Sequence, residues 1–182
     1  MFLPPCGPDE ERIGILIAVP EPWMTELADL RVQAGDNHGT VTPSHITILP
    51  PTTVKKSERE AVMEHLQTVA SRFAPFRISL LGTGSFRPVS PVVFVNVDKG
   101  HQTLIDLEDE IRSGILDRPT RFPYHPHVTI AQQVSDEKLD AAQEKLADYE
   151  AEWLVTGFRL DRVGNDGSYQ SQALLTLNGP AA

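Results

Sequence analysis

The sequence has a single cysteine, Cys6, among 182 residues. One thiol cannot form an intramolecular disulfide or supply a cysteine-based zinc or iron–sulfur site. Long apolar runs are also missing, because the longest, residues 13–19, is far shorter than the roughly 20 residues that a membrane helix needs. The first six residues lack the basic start and the apolar stretch of a signal peptide. We therefore expect a cytoplasmic protein that does not contact a membrane.

Basic residues are scarce relative to acidic ones. The chain has 16 Lys and Arg against 25 Asp and Glu, for a formal net charge of −9. Long nucleic acids are bound largely by neutralising many phosphates, so we expect no partner of that kind. The hydrophobic content of 40% is that of a globular chain, and this length suits one domain with a full core. We expect residues 1–182 to form a single monomeric domain.

The apolar pattern repeats once at a spacing of about 80 residues. Strand-like segments with period two alternate with segments whose apolar residues recur every three or four positions, as in helices. The pattern predicts an α+β fold of two pseudo-symmetric β-α-β-α-β halves. The repeats would span 12–84 and 90–162, with a closing strand at 169–177.

Local signals predict where individual elements end. Pro50 and Pro51 are expected to stop a short strand that begins at His45. Ser57 and Glu60 have the spacing of a capping box that begins the next helix. Residues 153–160 read as one strand.

A His-apolar-Thr-apolar motif occurs once in each repeat. Side chains alternate between the two faces of a strand, so the histidine and threonine of each motif would share a face while the apolar residues enter the core. If the repeats pack about a pseudo-twofold axis, both polar pairs face one cleft. The candidate catalytic residues are His45, Thr47, His127 and Thr129.

These residue types in pairs suit phosphate chemistry. The ordinary pKa of histidine lies near 6.5, so one imidazole can act as a base while the other acts as an acid. Two threonine hydroxyls can donate to the non-bridging oxygens of a phosphate held between them. This arrangement requires no metal and no cofactor.

The paired motifs, their flanking segments 42–49 and 124–131, and the duplicated layout resemble the 2H phosphoesterase superfamily. Within it, the chain is similar to the bacterial 2′-5′ RNA ligase (LigT-like) proteins over residues 12–177. The resemblance implies a bilobal α+β fold with two antiparallel sheets lining a central cleft. It also implies metal-independent attack on 2′,3′-cyclic phosphates or 2′-5′ phosphodiesters at RNA ends, with His127 as base and His45 as acid.

The chain departs from the family pattern at Gln132. LigT-like proteins often have an arginine there, three residues after the second threonine. Without that positive charge, a small cyclic phosphate or nucleotide ranks above RNA termini as the expected ligand.

Further residues are candidates for substrate contacts. Tyr124 and His125 flank the second motif and could shape the entrance to the cleft, although packing on the loop explains them equally well. Phe86 and Arg87 lie between the repeats and could stack on a base and bind a phosphate, or belong to a plain connecting loop. We expect no catalytic role for the remaining histidines, which are His38, His65 and His101.

Two alternatives to a metal-independent cyclic phosphodiesterase stay open. His125 and His127 would share a strand face and could be metal ligands of a metal-dependent hydrolase. A non-catalytic module that binds nucleotides or RNA ends could also keep such a cleft, although it would not need two proton-transfer groups.

Overall fold

The computed structural model describes residues 3–40 and 42–181, except for the side chains of His38 and Gly39. The predicted α+β class is confirmed. No helix in this described part is long and apolar enough to cross a membrane. The main elements, in chain order, are β1 (Glu10–Ala18), α1 (Trp23–Gln33), β2 (His45–Lys55), α2 (Arg59–Ala70), β3 (Phe76–Ser85), β4 (Val92–Val97), α3 (His101–Ile111), β5 (His127–Gln132), α4 (Asp136–Lys145), β6 (Glu150–Val155), β7 (Gly157–Val163) and β8 (Tyr169–Thr176).

The strands form one eight-stranded antiparallel sheet, in the order β6-β3-β4-β5-β2-β1-β7-β8. The expectation of two separate sheets is wrong, because β2 and β5 pair at the centre and join the halves. If the chain consists of the two predicted halves, they exchange strands, because β3 lies beside β4 and β6, whereas β7 and β8 extend the sheet beyond β1. The repeat boundaries 12–84 and 90–162 stay a prediction.

The predicted strand at 153–160 is in fact two strands, interrupted at Thr156. β6 ends one edge of the sheet, and β7 lies next to the strand at the other edge. A one-residue connection can reach across only if the sheet curls strongly. The chain therefore forms a curled, half-barrel sheet.

The prolines at 50 and 51 do not end β2, which continues to Lys55. The pairing of β1 with β2 steps from Ile13 opposite Thr52 to Ile15 opposite Leu49, so two prolines face one glycine in a bulge. Proline lacks an N–H group, and a bulge is where a strand tolerates that loss.

The predicted capping box is displaced by two residues. Helix α2 begins at Arg59, after a short 3-10 turn, and the Glu58 carboxylate accepts a hydrogen bond of 3.0 Å from the Lys55 N–H group. The prediction recognised the helix start but assigned the capping interaction to the wrong pair.

One face of the sheet carries the hydrophobic core. Alternate strand residues such as Ile15, Ile46 and Val128 are fully buried in one cluster with leucines of all four helices, which include Leu27, Leu66, Leu104 and Leu139. The remaining strand residues point to the opposite side, which we call the open face.

Candidate active site

The two His-x-Thr motifs lie side by side on the central strands β2 and β5. Their middle residues, Ile46 and Val128, are paired in antiparallel register. In this register each histidine lies opposite the threonine of the other motif. The two histidines are then diagonal neighbours, which sheet geometry places roughly 7–8 Å apart, with their Cβ atoms somewhat closer.

All four polar residues of the motifs are on the open face and half-buried. The apolar residues between them are fully buried under the helices. This alternation is the one that the sequence predicts, and it brings together His45, Thr47, His127 and Thr129.

Both imidazoles are oriented by the same backbone contact. Nδ1 of His45 lies 2.7 Å from the Pro43 carbonyl oxygen, and Nδ1 of His127 lies 2.7 Å from the His125 carbonyl oxygen. A carbonyl oxygen can only accept, so Nδ1 carries the hydrogen and Nε2 is the basic nitrogen of the neutral ring. In the described part of the chain neither Nε2 has a hydrogen-bond partner.

Burial lowers the pKa of both histidines, because a low-dielectric environment disfavours imidazolium. The pKa of His127 falls to about 4, with the nearby charges of His125 and His45 contributing to the decrease. Burial also lowers the pKa of His45, with smaller contributions from Arg31 and Arg159. The hydrogen bond to the Pro43 carbonyl and the charge of Asp161 act in the opposite direction. Both rings are therefore neutral at pH 7 when the site holds no anion.

Three rings, those of Phe86, Phe94 and His125, border His127 on the β3–β4 side, and we call them the aromatic wall. The ring centres of Phe86 and Phe94 each lie 5.0 Å from that of His127. The exposed His125 ring lies 5.6 Å from Phe86 and 5.1 Å from Phe94. Two predicted contact residues, Phe86 and His125, are thus beside the histidine pair. On the other side, Tyr169 lies 5.7 Å from His45.

Tyr124 supports the strand that carries the first motif. Its hydroxyl donates a hydrogen bond of 3.0 Å to the Thr47 carbonyl oxygen. Burial raises the pKa of this hydroxyl above its ordinary range. The structure thus gives Tyr124 a backbone partner, and its direct contact with a substrate stays a prediction.

Arg87 is bound by helix α4. Its guanidinium donates to Asp140 at 2.7 Å, to Gln143 at 3.3 Å and to Asp136 at 3.5 Å. The predicted phosphate contact would require Arg87 to give up these partners.

In the part of the chain that the structure describes, the other histidines do not extend the pair into a metal centre. Within residues 3–40 and 42–181, apart from the two undescribed side chains, no group of three or more His, Cys, Asp or Glu residues could hold a metal ion. His101 lies 6.1 Å from His125 between ring centres, and His65 bonds to the Ile111 carbonyl oxygen. The His38 side chain lies outside the described residues.

Arg159 and Asp161, which lie outside the two sequence motifs, also belong to the open face. Arg159 pairs with Leu16, which in turn pairs with Thr47. Nε of Arg159 donates to Asp161 at 3.1 Å, and Nη2 makes a second bond to the same carboxylate. The alternation of these two charges with Phe158 and Leu160 along β7 predicts that they share a strand face, but it does not predict that this face also carries His45.

Comparisons with known sequences identify the family of the chain. Residues 19–167 match the model of the 2′-5′ RNA ligase superfamily. A Bacillus cytotoxicus protein named "Putative phosphoesterase" is 31% identical over 125 residues, which cover 69% of this chain and 72% of the relative. A Bacillus thuringiensis protein of the same name has the same identity and coverage.

Solved structures show the same fold. TT0787 of Thermus thermophilus is 20% identical, with a TM-score of 0.66, and the match covers 93% of this chain and all of that one. E. coli LigT in complex with NADP⁺ is 19% identical, with a TM-score of 0.64 and coverage of 93% and 99%. LigT has also been solved with 3′-AMP, at 19% identity, a TM-score of 0.60 and coverage of 92% and 98%. From its matching segment and its relatives, the chain belongs to the 2′-5′ RNA ligase superfamily.

Proposed function

We propose that the protein is a metal-independent phosphodiesterase that opens nucleoside 2′,3′-cyclic phosphates. The observation that carries this proposal is the pairing of Ile46 with Val128, because it sets two equivalent His-Thr pairs on one surface. In-line displacement at phosphorus needs a base on one side, an acid on the other and donors to the non-bridging oxygens. The four motif residues supply all of these groups.

In the proposed reaction, Nε2 of His127 removes a proton from a water molecule. The water oxygen forms a bond to phosphorus while the bond from phosphorus to O3′ breaks. Nε2 of protonated His45 donates its proton to O3′, which leaves a 2′-phosphate and a free 3′-hydroxyl. The hydroxyls of Thr47 and Thr129 donate to the non-bridging oxygens, where negative charge increases in the transition state.

Binding of the substrate favours the protonated form of His45, the proposed acid. The pKa of His45 is low in the free protein, but a phosphate anion beside an imidazole favours its protonated form. Binding of the anionic diester therefore prepares the acid where it is needed.

The aromatic wall supports a nucleoside as the organic part of the substrate. Phe86 and the exposed His125 present ring surfaces next to His127, and bases stack well on such rings. LigT, which shares the fold, has been solved with nucleotides, including NADP⁺ and 3′-AMP.

The proposal is tested by incubating the purified protein with adenosine 2′,3′-cyclic monophosphate in excess EDTA and separating the products. Adenosine 2′-monophosphate should form at the same rate with and without the chelator. Activity that EDTA abolishes would instead support a metal-dependent hydrolase. Tight nucleotide binding without turnover would support a binding module.

Thr47→Val and Thr129→Val should each lower kcat for this substrate by about 10²-fold. Valine keeps the shape but removes a donor to the charged oxygens, and loss of one oxyanion-hole donor from a serine protease costs about 10²–10³-fold in kcat. Steady-state kinetics measure the change. Thr176→Val, at an exposed position near the end of β8, is the matched control and should retain wild-type kinetics. A wild-type kcat in Thr47→Val and Thr129→Val, as in the control, would show that the motif hydroxyls do not contact the reacting phosphate.

Phe86→Ala should raise KM for adenosine 2′,3′-cyclic monophosphate about tenfold, because stacking contributes about 1–3 kcal/mol per base. KM for ribose 2′,3′-cyclic phosphate, which lacks a base, should rise much less. Phe122→Ala removes an exposed phenylalanine whose ring lies against Arg121, and it serves as the control. The same increase for both substrates would mean that Phe86 supports the site without contacting a base.

A further inference from the structure

Arg159 lies on the His45 side of the site, opposite the aromatic wall. Its strand, β7, is separated from β2 only by β1. Neighbouring strands are about 4.8 Å apart, so the Arg159 backbone lies roughly 10 Å from that of Thr47, on the same row of the open face. The Arg159 guanidinium therefore lies beside the proposed position of the reacting phosphate and does not bind that phosphate directly.

Asp161 holds this guanidinium in a fixed orientation. The carboxylate is completely buried and accepts from both Nε and Nη2, whereas the Arg159 side chain stays 26% exposed. Asp161 pairs with Gly14, two residues along β1 from Leu16, the partner of Arg159. The ion pair therefore holds the guanidinium to one side of the row that contains Leu16 and Thr47. This contact uses two of the five N–H groups of arginine. No partner in the described part of the chain accepts from the other three.

The other arginines near the site are not available to a ligand in the same way. Arg87 is bound to Asp140 on α4, and Arg31 is buried in an ion pair with Asp36. Arg159 combines a fixed position, solvent access and free donors. These are the properties of an anion-binding residue.

The shape of a nucleotide relates this residue to the aromatic wall. In ribose, the base on C1′ and the 5′ group on C4′ lie on opposite sides of the C2′–C3′ edge that carries the cyclic phosphate. With the base against Phe86 and the phosphate between His45 and His127, the 5′ group extends across β1 toward β7. It then approaches Arg159.

We propose that Arg159, positioned by Asp161, binds a second phosphate at the 5′ position of the nucleoside whose 2′,3′-phosphate lies between the histidines. The placement of the first phosphate rests on the proposed function. The preferred substrates are then nucleoside cyclic phosphates that also carry a 5′-phosphate.

The test compares the binding of adenosine 2′-monophosphate and adenosine 2′,5′-bisphosphate by titration calorimetry, which needs no turnover. The wild type should bind the bisphosphate about 10–100-fold more tightly, as expected for a charge-assisted contact. Arg159→Gln should bring the ratio of the two dissociation constants close to one. Arg162→Gln changes an exposed arginine on the same strand that bonds to Gln170, and it should keep the wild-type ratio.

Other results would overturn the inference. The first two are equal affinities of the wild type for both nucleotides and no binding of either nucleotide. The third is an equal loss of affinity for both nucleotides in Arg159→Gln, which would mean that Arg159 binds the first phosphate or only supports the fold. Asp161→Asn, checked for folding by thermal unfolding, should reduce the ratio without abolishing it, because it frees the guanidinium but keeps its charge. Absence of turnover would refute the proposed function and leave this ratio measurable.

Discussion

His45→Ala and His127→Ala are each expected to lower kcat/KM for adenosine 2′,3′-cyclic monophosphate by about 10²–10⁴-fold. Each variant removes one proton-transfer group, and general acid or base assistance is worth that much in enzymes. The loss should appear mainly in kcat, since the threonine donors still hold the phosphate. Stopped-time product analysis over a range of substrate concentrations separates kcat from KM.

The double variant sharpens this test. The effects of removing groups that act together in one transition state are not additive. The kcat/KM of the double variant should therefore be only slightly lower than that of the less active single variant. His65→Ala, whose ring bonds to a backbone carbonyl away from the site, is the control and should retain activity. Wild-type rates in both single variants would show that the paired histidines are not the acid and the base.

The pH dependence of kcat/KM should have its maximum below pH 6.5. The proposed reaction needs one neutral and one protonated histidine, and burial lowers the pKa of both in the free protein, to about 4 for His127. Above these pKa values the protonated fraction decreases about tenfold per pH unit, and kcat/KM should follow it. We expect about a 100-fold decrease between pH 6.5 and 8.5.

This profile is measured at substrate concentrations well below KM, so that it reports the free protein. The diester keeps one negative charge throughout the range and contributes no ionisation of its own. Thermal unfolding at each pH separates loss of catalysis from loss of structure. A flat profile from pH 5 to 9 would contradict proton transfer by two histidines.

The candidate site could be predicted from the sequence because its arrangement depends on a local rule. The period of two in a strand places His45 and Thr47 on one face and Ile46 in the core, whatever the rest of the fold does. The same rule applies to the motif at His127. The equivalence of the two motifs then indicated one shared site.

The pairing of the strands could not be predicted from such a local rule. Nothing near residue 156 shows that the chain leaves β6 at one edge of the sheet and enters β7 beside β1, because that choice depends on contacts far apart in sequence. The bulge at Pro50 and Pro51 likewise depends on Gly14 in the facing strand. Arg159 was missed for the same reason, since only the order β2-β1-β7 brings it near His45.

The shared site is tested most directly by a crystal structure of the protein with adenosine 2′-monophosphate, the proposed product. We expect one phosphate with oxygens within hydrogen-bond distance, about 3.2 Å or less, of Nε2 of both His45 and His127 and of both threonine hydroxyls. The adenine should lie against the aromatic wall. A phosphate bound by only one histidine, or bound away from the β2–β5 pair, would contradict the shared site.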